Sequence, residues 1–198
     1  MNVSEALPVA PVVNFITGNA NKLREVKEIL EPAVRVDNKE LDIEEIQGSI
    51  EEIAIAKCRK AADLLNGPVL VEDTALCFGA LNGLPGPYMA NIPNKRGSKW
   101  FLRDLGNEGL SKLLAGFPDK SAEAVCTFAY SPGPGHNPRL FQGRTIVNTK
   151  LGHHSTATGT AGVWPGRYAE MTSAEKNKMS HRALALRQLQ QWIVEHRR

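Results

Sequence analysis

Apolar runs and amphipathic stretches alternate along the first half of the chain, which predicts alternating strands and helices. The run Pro11–Thr17 (PVVNFIT) has the composition of a buried strand. Apolar residues then recur at helical spacing over 20–30 and again over 50–65, with charged residues on the opposite faces. Between these predicted helices, the stretch 34–46 alternates apolar and polar positions as a half-buried strand does. This order of elements is typical of an α/β fold.

The next apolar run is the one around which we expect a site to form. Val69–Val71 precedes two adjacent carboxylates, Glu72 and Asp73, and a loop rich in glycine and proline follows Thr74. Ligands gather at the carboxyl ends of strands in α/β folds. Neighbouring side chains on a strand point to opposite faces, so both carboxylates can enter one site only if the strand ends there. We therefore expect the strand to end at this pair, and an ordinary turn or helix cap after a strand is the alternative.

The second half of the chain predicts a β-hairpin and a final helix. Strand-like runs at 122–131 and 139–147 flank the turn residues 132–135. Thr172 and Glu175 have the spacing of a capping box, which predicts the start of the last helix. We expect a single α/β domain over residues 1–198, with a central mixed β-sheet flanked by helices. The hairpin is a candidate for a second small lobe.

Composition excludes several classes of protein. The 198 residues carry a net charge of only +3, which is too small to imply nucleic-acid or membrane binding by itself. Three cysteines without a C-x-x-C pair suggest neither a disulfide framework nor a zinc site, and they fit a reducing compartment. The first eleven residues contain no Lys or Arg, so no targeting segment is predicted, and no run approaches transmembrane length. We therefore expect the protein to be cytoplasmic, in the cytosol.

Two lysines occupy positions that need an explanation. The junction Thr17–Lys22 (TGNANK) opens a predicted helix, whose backbone N–H groups, with Gly18 beside them, suit a phosphate. Lys22 in the first helical turn opposes the helix dipole unless an anion lies there. An Asn19 cap with a solvated Lys22 is the alternative. Lys57 falls within the apolar stripe of the second predicted helix. Either its ammonium group is buried with a binding partner, or the side chain snorkels along the apolar surface so that the ammonium group reaches solvent.

Four lysines and three carboxylates make up the candidate constellation. Several lysines, acting as point charges, suit a polyphosphate. The carboxylates would repel that polyphosphate unless a metal lies between them, and hard oxygen ligands beside phosphates favour Mg²⁺. The residues are Lys22, Lys57, Lys99 and Lys176, with Glu45, Glu72 and Asp73.

Several motifs, in order along the chain, closely resemble the inosine triphosphate pyrophosphatase family. They are T-G-N-x-x-K, V-L-V-E-D-T-x-L-x-F, G-L-P-G-P-Y, A-E-K-N and S-H-R, and the resemblance covers residues 15–145 and 168–192. It implies a cytosolic, homodimeric hydrolase that depends on Mg²⁺, with Mn²⁺ as a candidate substitute. The implied reaction converts ITP, dITP and XTP to the monophosphate and pyrophosphate, which removes nonstandard purine nucleotides from the nucleotide pool.

The resemblance also implies roles for individual residues. Asp73, Glu72 and Lys22 would be catalytic, and Glu45 and Asp73 would hold the metal. His181 and Arg182 resemble the pair that reads the base. Arg182 offers only donors, so it can pair with a 6-oxo group and reject the 6-amino donor of adenine. The implied substrate-binding residues are Thr17, Gly18, Asn19, Lys22, Lys57, Thr74, Lys99, Lys176, Ser180, His181 and Arg182.

Two segments depart from the family pattern. Residues 90–98 interrupt the passage from Gly-Pro-Tyr to Lys-Trp-Phe-Leu, which makes Lys99 the weakest assignment among the lysines. Over 149–166 the chain lacks the Phe-Gly-Trp-Asp segment that forms the base pocket in the family. A frameshift or an altered splice junction is one hypothesis for this difference, and divergence of a loop is the other. The departure keeps a second function open, a weakened or inactive paralogue or isoform that binds nucleotide without efficient turnover.

Overall fold

The computed structural model describes residues 12–31, 33–89, 105, 109, 112–148 and 180–196. Lys99, Lys176 and the two divergent segments therefore lie outside the described residues. The strands and helices are β1 (Val12–Ile16), α1 (Ala20–Leu30), β2 (Arg35–Lys39), α2 (Ile50–Leu65), β3 (Val69–Phe78), β4 (Pro85–Gly86), β5 (Ser121–Ser131), β6 (Arg139–Asn148) and α3 (His181–His196).

The described strands form one mixed sheet of six strands. Its order is β2-β1-β3-β5-β6, and the short strand β4 pairs with β3. β1 runs parallel to β2 and β3, whereas β3, β5 and β6 are joined by antiparallel ladders. The predicted hairpin thus consists of β5 and β6, and both strands belong to the central sheet. The α/β fold with a central mixed sheet is confirmed.

Alternate residues of β3 pack against helices on opposite faces of the sheet. Leu70 belongs to a core that α1 and α3 cover, together with Phe15 and Phe128. Val69 and Val71 belong to a second core, which α2 covers. The sheet therefore has an α1/α3 face and an α2 face, and the side-chain direction at each β3 position decides which helices that residue meets.

The caps of the first two helices explain why their predicted bounds are correct. Asn19 caps α1, since its side chain accepts hydrogen bonds from the backbone N–H groups of Asn21 and Lys22. α2 begins at a capping box in which Ser49 and Glu52 exchange backbone and side-chain hydrogen bonds. No helix in the described part of the chain is both long and apolar enough to cross a membrane.

Three predicted boundaries are wrong. β3 does not end at Asp73 but continues to Phe78, because β5 pairs with every residue from Val69 to Phe78. β2 ends at Lys39, well before the predicted limit at residue 46. α3 begins at His181, where the Ser180 hydroxyl accepts a 3.0 Å hydrogen bond from the N–H of Ala183, and this cap replaces the predicted start at Thr172. Thr172 itself lies outside the described residues.

Candidate active site

The candidate site lies where β1 ends and leaves part of β3 without a neighbour. β1 and β3 pair in parallel, with Asn14 beside Val69 and Phe15 beside Leu70. β1 therefore ends level with Val71, and the chain turns into α1. β4 pairs with β3 only at Leu76 and Cys77. Among the described strands, none covers this edge of β3 over residues 72–75, so the sheet has a notch there, beside the start of α1.

Glu72 and Asp73 flank this notch on opposite faces of the sheet. Because β3 continues through both residues, their side chains alternate as strand geometry requires. Glu72 joins the α1/α3 face and Asp73 the α2 face, and both side chains are almost fully buried. The expectation that both carboxylates enter one face of the site is therefore wrong.

On the α2 face, Lys57 lies between two carboxylates. Its ammonium nitrogen is 2.9 Å from Glu45 Oε1 and 3.2 Å from Asp73 Oδ1. Burial alone would lower the pKa of Lys57, but Asp73 and Glu45 together raise it. The Lys57 side chain is only 15% exposed, so it does not snorkel to the surface. The sequence therefore correctly marked this lysine as one that needs partners.

On the α1/α3 face, Glu72 is surrounded by donors. Lys22 Nζ lies 3.0 Å from its Oε2, and Arg182 Nη2 lies 3.2 Å from its Oε1. Oε1 also accepts a 2.6 Å hydrogen bond from the Thr74 hydroxyl. Burial alone would raise the pKa of Glu72, but Arg182, Lys22 and Thr74 hold it well below its ordinary value. Arg182 also donates to Glu25 of α1 at 2.6 Å, which links α1 to α3.

The helix start at Thr17–Lys22 differs from the expected phosphate cradle. The Asn19 carboxamide oxygen accepts from the N–H groups of Asn21 and Lys22 at 3.0 and 3.2 Å. The Thr17 hydroxyl accepts from the N–H of Asn19 at 3.1 Å. These backbone N–H groups therefore donate to side chains of the same loop, as the alternative with an Asn19 cap predicted. Lys22, however, pairs with Glu72, so its side chain points at the notch.

The described site residues come from five separate parts of the fold. Lys22 is on α1, Lys57 on α2, Glu72 and Asp73 on β3, and Arg182 on α3. Glu45 precedes α2, and Ser180 caps α3. The folded chain thus gathers residues far apart in sequence at the notch, some on each face of the sheet.

A sequence model of the Ham1 family matches residues 13–192 of this chain. The chain belongs to the Ham1 family. It is 58% identical to the inosine triphosphate pyrophosphatase of Neurospora crassa over 188 residues, which are 93% of each chain. It is 55% identical to the protein of the same name from Chaetomium globosum, again over 93% of both chains. The Staphylococcus aureus Ham1 protein superposes with a TM-score of 0.76 at 26% identity, covering 94% of this chain and all of that one. The resemblance seen in the motifs is confirmed.

The α2 face of this Ham1-family chain has donors that fit a divalent cation. Glu45 and Asp73 converge on one point, which the ammonium group of Lys57 occupies. Carboxylate oxygens are the ligands that Mg²⁺ prefers. Among the described residues, no group of three or more His, Cys, Asp or Glu side chains could hold a metal. Two carboxylates would leave the other positions of Mg²⁺ to water and phosphate oxygens, which is its usual coordination in nucleotide enzymes.

His181 is buried beneath the start of α3. Burial, followed by the positive charge of Arg182, lowers the pKa of His181 from 6.5 to about 4. The ring is therefore neutral at pH 7 in the folded protein. This arrangement makes the stability of the protein sensitive to acid.

The pKa of His181 predicts a loss of stability between pH 6.5 and pH 4. In this range the unfolded chain binds a proton at His181 that the folded protein does not bind. The free energy of unfolding should fall by about 3 kcal/mol as the pH is lowered across this range, at about 1.4 kcal/mol per pKa unit. Urea unfolding at a series of pH values measures this slope. His181→Asn should remove it, and an unchanged slope in that variant would contradict the assignment.

Gly143 is a residue that the sequence analysis missed. It lies on β6 directly beneath the first turn of α3. A Cβ atom there would lie 2.0 Å from the carbonyl oxygen of His181 and 2.7 Å from the nitrogen of Ala185. An isolated glycine within a strand pattern often marks such a close backbone approach. Gly143 therefore allows α3 to begin where His181 and Arg182 reach the notch.

Gly143→Ala should destabilise the fold by about 1–3 kcal/mol, because the added methyl group must displace the helix backbone. Thermal unfolding measures the change. Gly116→Ala is the matched control, since a Cβ atom at Gly116 would meet nothing within 4 Å. Equal melting temperatures for the two variants would show that α3 does not lie this close to β6.

Proposed function

We propose that this protein hydrolyses nonstandard purine nucleoside triphosphates, ITP, dITP and XTP, to the monophosphate and pyrophosphate. This reaction removes such nucleotides from the nucleotide pool. Membership of the Ham1 family, with relatives of 55–58% identity named inosine triphosphate pyrophosphatase, is the observation that carries the proposal. The grouping of two lysines, an arginine and three carboxylates around the notch supports it.

The phosphate chain is bound by the lysines at the notch. Lys22 and Lys57 approach from α1 and α2, and Thr17 and Asn19 lie at the start of α1. Lys99 and Lys176 complete this set on the strength of the family resemblance. The positive charges offset the charge that develops on the phosphate oxygens when water attacks the α-phosphorus and pyrophosphate leaves.

Glu45 and Asp73 are the metal ligands in this proposal. They would hold Mg²⁺, or Mn²⁺ in its place, which when bound would withdraw charge from the phosphate oxygens. Both carboxylates converge on the point that the Lys57 ammonium occupies, and two carboxylates at one point would suit a divalent cation. With these two carboxylates holding the metal, the Lys57 ammonium would be available to the phosphates.

The base is recognised at the start of α3. Arg182 donates through Nη1 to Glu25 and through Nη2 to Glu72, while its Nε has no hydrogen-bond partner among the described residues. A buried donor without a partner is costly, and an acceptor on a ligand can satisfy it. The 6-oxo group of hypoxanthine or xanthine is such an acceptor, whereas the 6-amino group of adenine is a donor. Neutral His181 precedes Arg182 at the start of the same helix.

The assembly is proposed on the family resemblance alone, whereas the location also rests on features of the sequence. We propose a homodimer that acts in the cytoplasm on a small-molecule nucleotide, without a nucleic-acid or membrane partner. The free thiols Cys58, Cys77 and Cys126 suit a reducing compartment.

A second candidate function is nucleotide binding without efficient turnover. The observation that favours it is the absence of the Phe-Gly-Trp-Asp segment over residues 149–166. In that case the phosphate and metal residues would be retained, and the base would be held too loosely for reaction.

Incubation of the purified protein with ITP and Mg²⁺, followed by assay for pyrophosphate, tests the proposal. IMP and pyrophosphate should appear in equal amounts, and EDTA should stop the reaction. ATP should react more slowly than ITP. Binding of ITP without product would favour the second candidate, and release of orthophosphate as the primary product would overturn the proposed reaction.

A further inference from the structure

Glu72 lies beneath the two cations that face the notch on the α1/α3 side. Its side chain is 1% exposed, whereas the side chains of Lys22 and Arg182 are 27% and 16% exposed. A ligand entering from solvent therefore meets the ammonium and guanidinium groups before it meets the carboxylate.

Donor groups from four elements lie against the Glu72 carboxylate. Oε1 accepts from Thr74 on β3 at 2.6 Å, from Arg182 on α3 at 3.2 Å and from the Cys126 thiol on β5 at 3.4 Å. Oε2 lies 3.0 Å from Lys22 Nζ on α1 as an ion pair and accepts no hydrogen bond from the described residues. The three donors at Oε1 and the ammonium group beside Oε2 stabilise the ionised carboxylate, which makes it a poor acceptor for a proton from water.

The charged side chains around Glu72 differ from those around Asp73, which lies on the opposite face of β3. On the α2 face, Asp73 and a second carboxylate, Glu45, converge on the ammonium group of Lys57, and two carboxylates at one point suit a divalent cation. Glu72 instead contacts two cations, Lys22 and Arg182. Arg182 also contacts a second carboxylate, Glu25. Lys22, Arg182, Glu72 and Glu25 together are neutral. They leave no excess negative charge for a metal to offset.

We propose that Glu72 is a positioning residue, which holds Arg182 and Lys22 in place for the nucleotide and neither binds the metal nor activates water. This inference rests on the proposed function, and it replaces the catalytic role that the family resemblance implied for Glu72. Thr74 on β3 and Cys126 on β5 donate to the carboxylate, and the carboxylate pairs with the two cations. Base recognition at α3 and phosphate binding at α1 thus share one buried anchor.

The neighbouring variants Glu72→Gln and Asp73→Asn test this assignment, because each removes one charge with almost no change of shape. In Glu72→Gln, Arg182 loses its buried charged partner, and the ratio of kcat/KM for ITP over ATP should fall by about tenfold. Because Lys22 also loses its partner, kcat at saturating ITP should fall by no more than about tenfold, and the Mg²⁺ concentration for half-maximal rate should not move. In Asp73→Asn, kcat should fall and the rate should no longer respond to Mg²⁺.

A different result for Glu72→Gln would overturn the proposal. If its kcat falls by about 10² or more while the ITP/ATP ratio is unchanged, Glu72 acts as a general base, which contributes on this scale. A shifted Mg²⁺ dependence would overturn it too.

Cys126 provides a second test that retains the charge of Glu72. Cys126→Ala removes one donor to Oε1, and the ITP/ATP ratio should fall by roughly threefold, the scale of one weak hydrogen bond. Cys126→Ser restores a donor and should restore the ratio. If Glu72→Gln does not fold, this pair decides the question, and equal ratios for the alanine and serine variants would contradict the proposal.

Binding experiments separate this inference from the proposed reaction. Calorimetry should show that the wild-type protein binds IMP more tightly than AMP and that Glu72→Gln loses this preference. A wild-type protein that prefers IMP but does not turn over ITP would refute the proposed reaction while the inference stands. A preference for IMP that survives in Glu72→Gln would refute the inference, whatever the activity, and so would a wild-type protein with no preference.

Discussion

Asp73→Asn should lower kcat for ITP by at least about 10³-fold, which is the largest effect expected of any single substitution in this protein. Asp73 is one of the two carboxylates that converge on the same cation position, and its side chain is only 2% exposed. Asparagine retains the shape but supplies no charge. The neutral side chain would therefore weaken metal binding and leave the phosphate charge poorly offset in the transition state.

The variant must remain folded for this result to have meaning. Lys57 keeps its 2.9 Å contact with Glu45 in Asp73→Asn, so the buried ammonium retains a charged partner. Far-UV circular dichroism checks the fold, and steady-state kinetics with ITP and Mg²⁺ measures the loss. Asp63→Asn is the matched control, because Asp63 is an exposed residue near the end of α2 and should be replaced without effect. Turnover that survives in Asp73→Asn, or in wild type with EDTA, would exclude this metal site.

The second large effect concerns base recognition and the segment 149–166. The family resemblance places Phe-Gly-Trp-Asp against the base, and this chain lacks that sequence. Loss of an aromatic stack costs roughly 1–3 kcal/mol per base, by analogy with single-strand recognition. Loss of a hydrogen bond to a charged group adds roughly 1.5–3 kcal/mol. Together these losses should lower kcat/KM for ITP by about 10² to 10⁴.

The Neurospora crassa relative supplies the reference for this prediction, since it is 58% identical to this chain. Measured side by side with ITP and ATP, the present protein should have the lower efficiency with ITP. It should also have a smaller preference for ITP, although pyrophosphate should remain the product because the phosphate-binding residues are present. An efficiency and an ITP/ATP ratio equal to those of the relative would contradict the prediction. Such a result would mean that residues such as His153, His154 or Trp164 rebuild the pocket. Sequencing of the transcript tests the frameshift and splicing hypotheses separately.

Local sequence patterns predicted the helices well because their signals are local. α1 and α2 have the bounds that their apolar spacing and polar caps indicate. The hairpin of β5 and β6 is also as predicted, because turn residues separate two strand-like runs. In each case the residues that determine the element lie within or next to it.

The boundaries that were wrong depend on contacts with distant parts of the chain. β3 extends past the two carboxylates because β5, some fifty residues later, pairs with it along its whole length. Glu72 and Asp73 can occupy successive strand positions because each finds cations on its own face, from α1 and α3 for Glu72 and from α2 for Asp73. The sequence identified both acids but could not show that they serve different faces.

Gly143 shows a different kind of omission. Its signal, a lone glycine between Phe141 and Thr145 in a strand pattern, was present in the sequence. The helix that it accommodates is remote in the chain, so no local pattern indicates which element comes close. The same remoteness applies to Glu25, whose contact with Arg182 joins two helices at opposite ends of the chain.

Hydrolysis of ITP in ¹⁸O-labelled water with Mg²⁺ tests the central claim most directly. If water attacks the α-phosphorus, mass spectrometry should find one ¹⁸O atom in IMP and none in pyrophosphate, and Asp73→Asn should yield almost no labelled IMP. Label in pyrophosphate or in orthophosphate, or no turnover of ITP by the wild-type protein, would contradict the account.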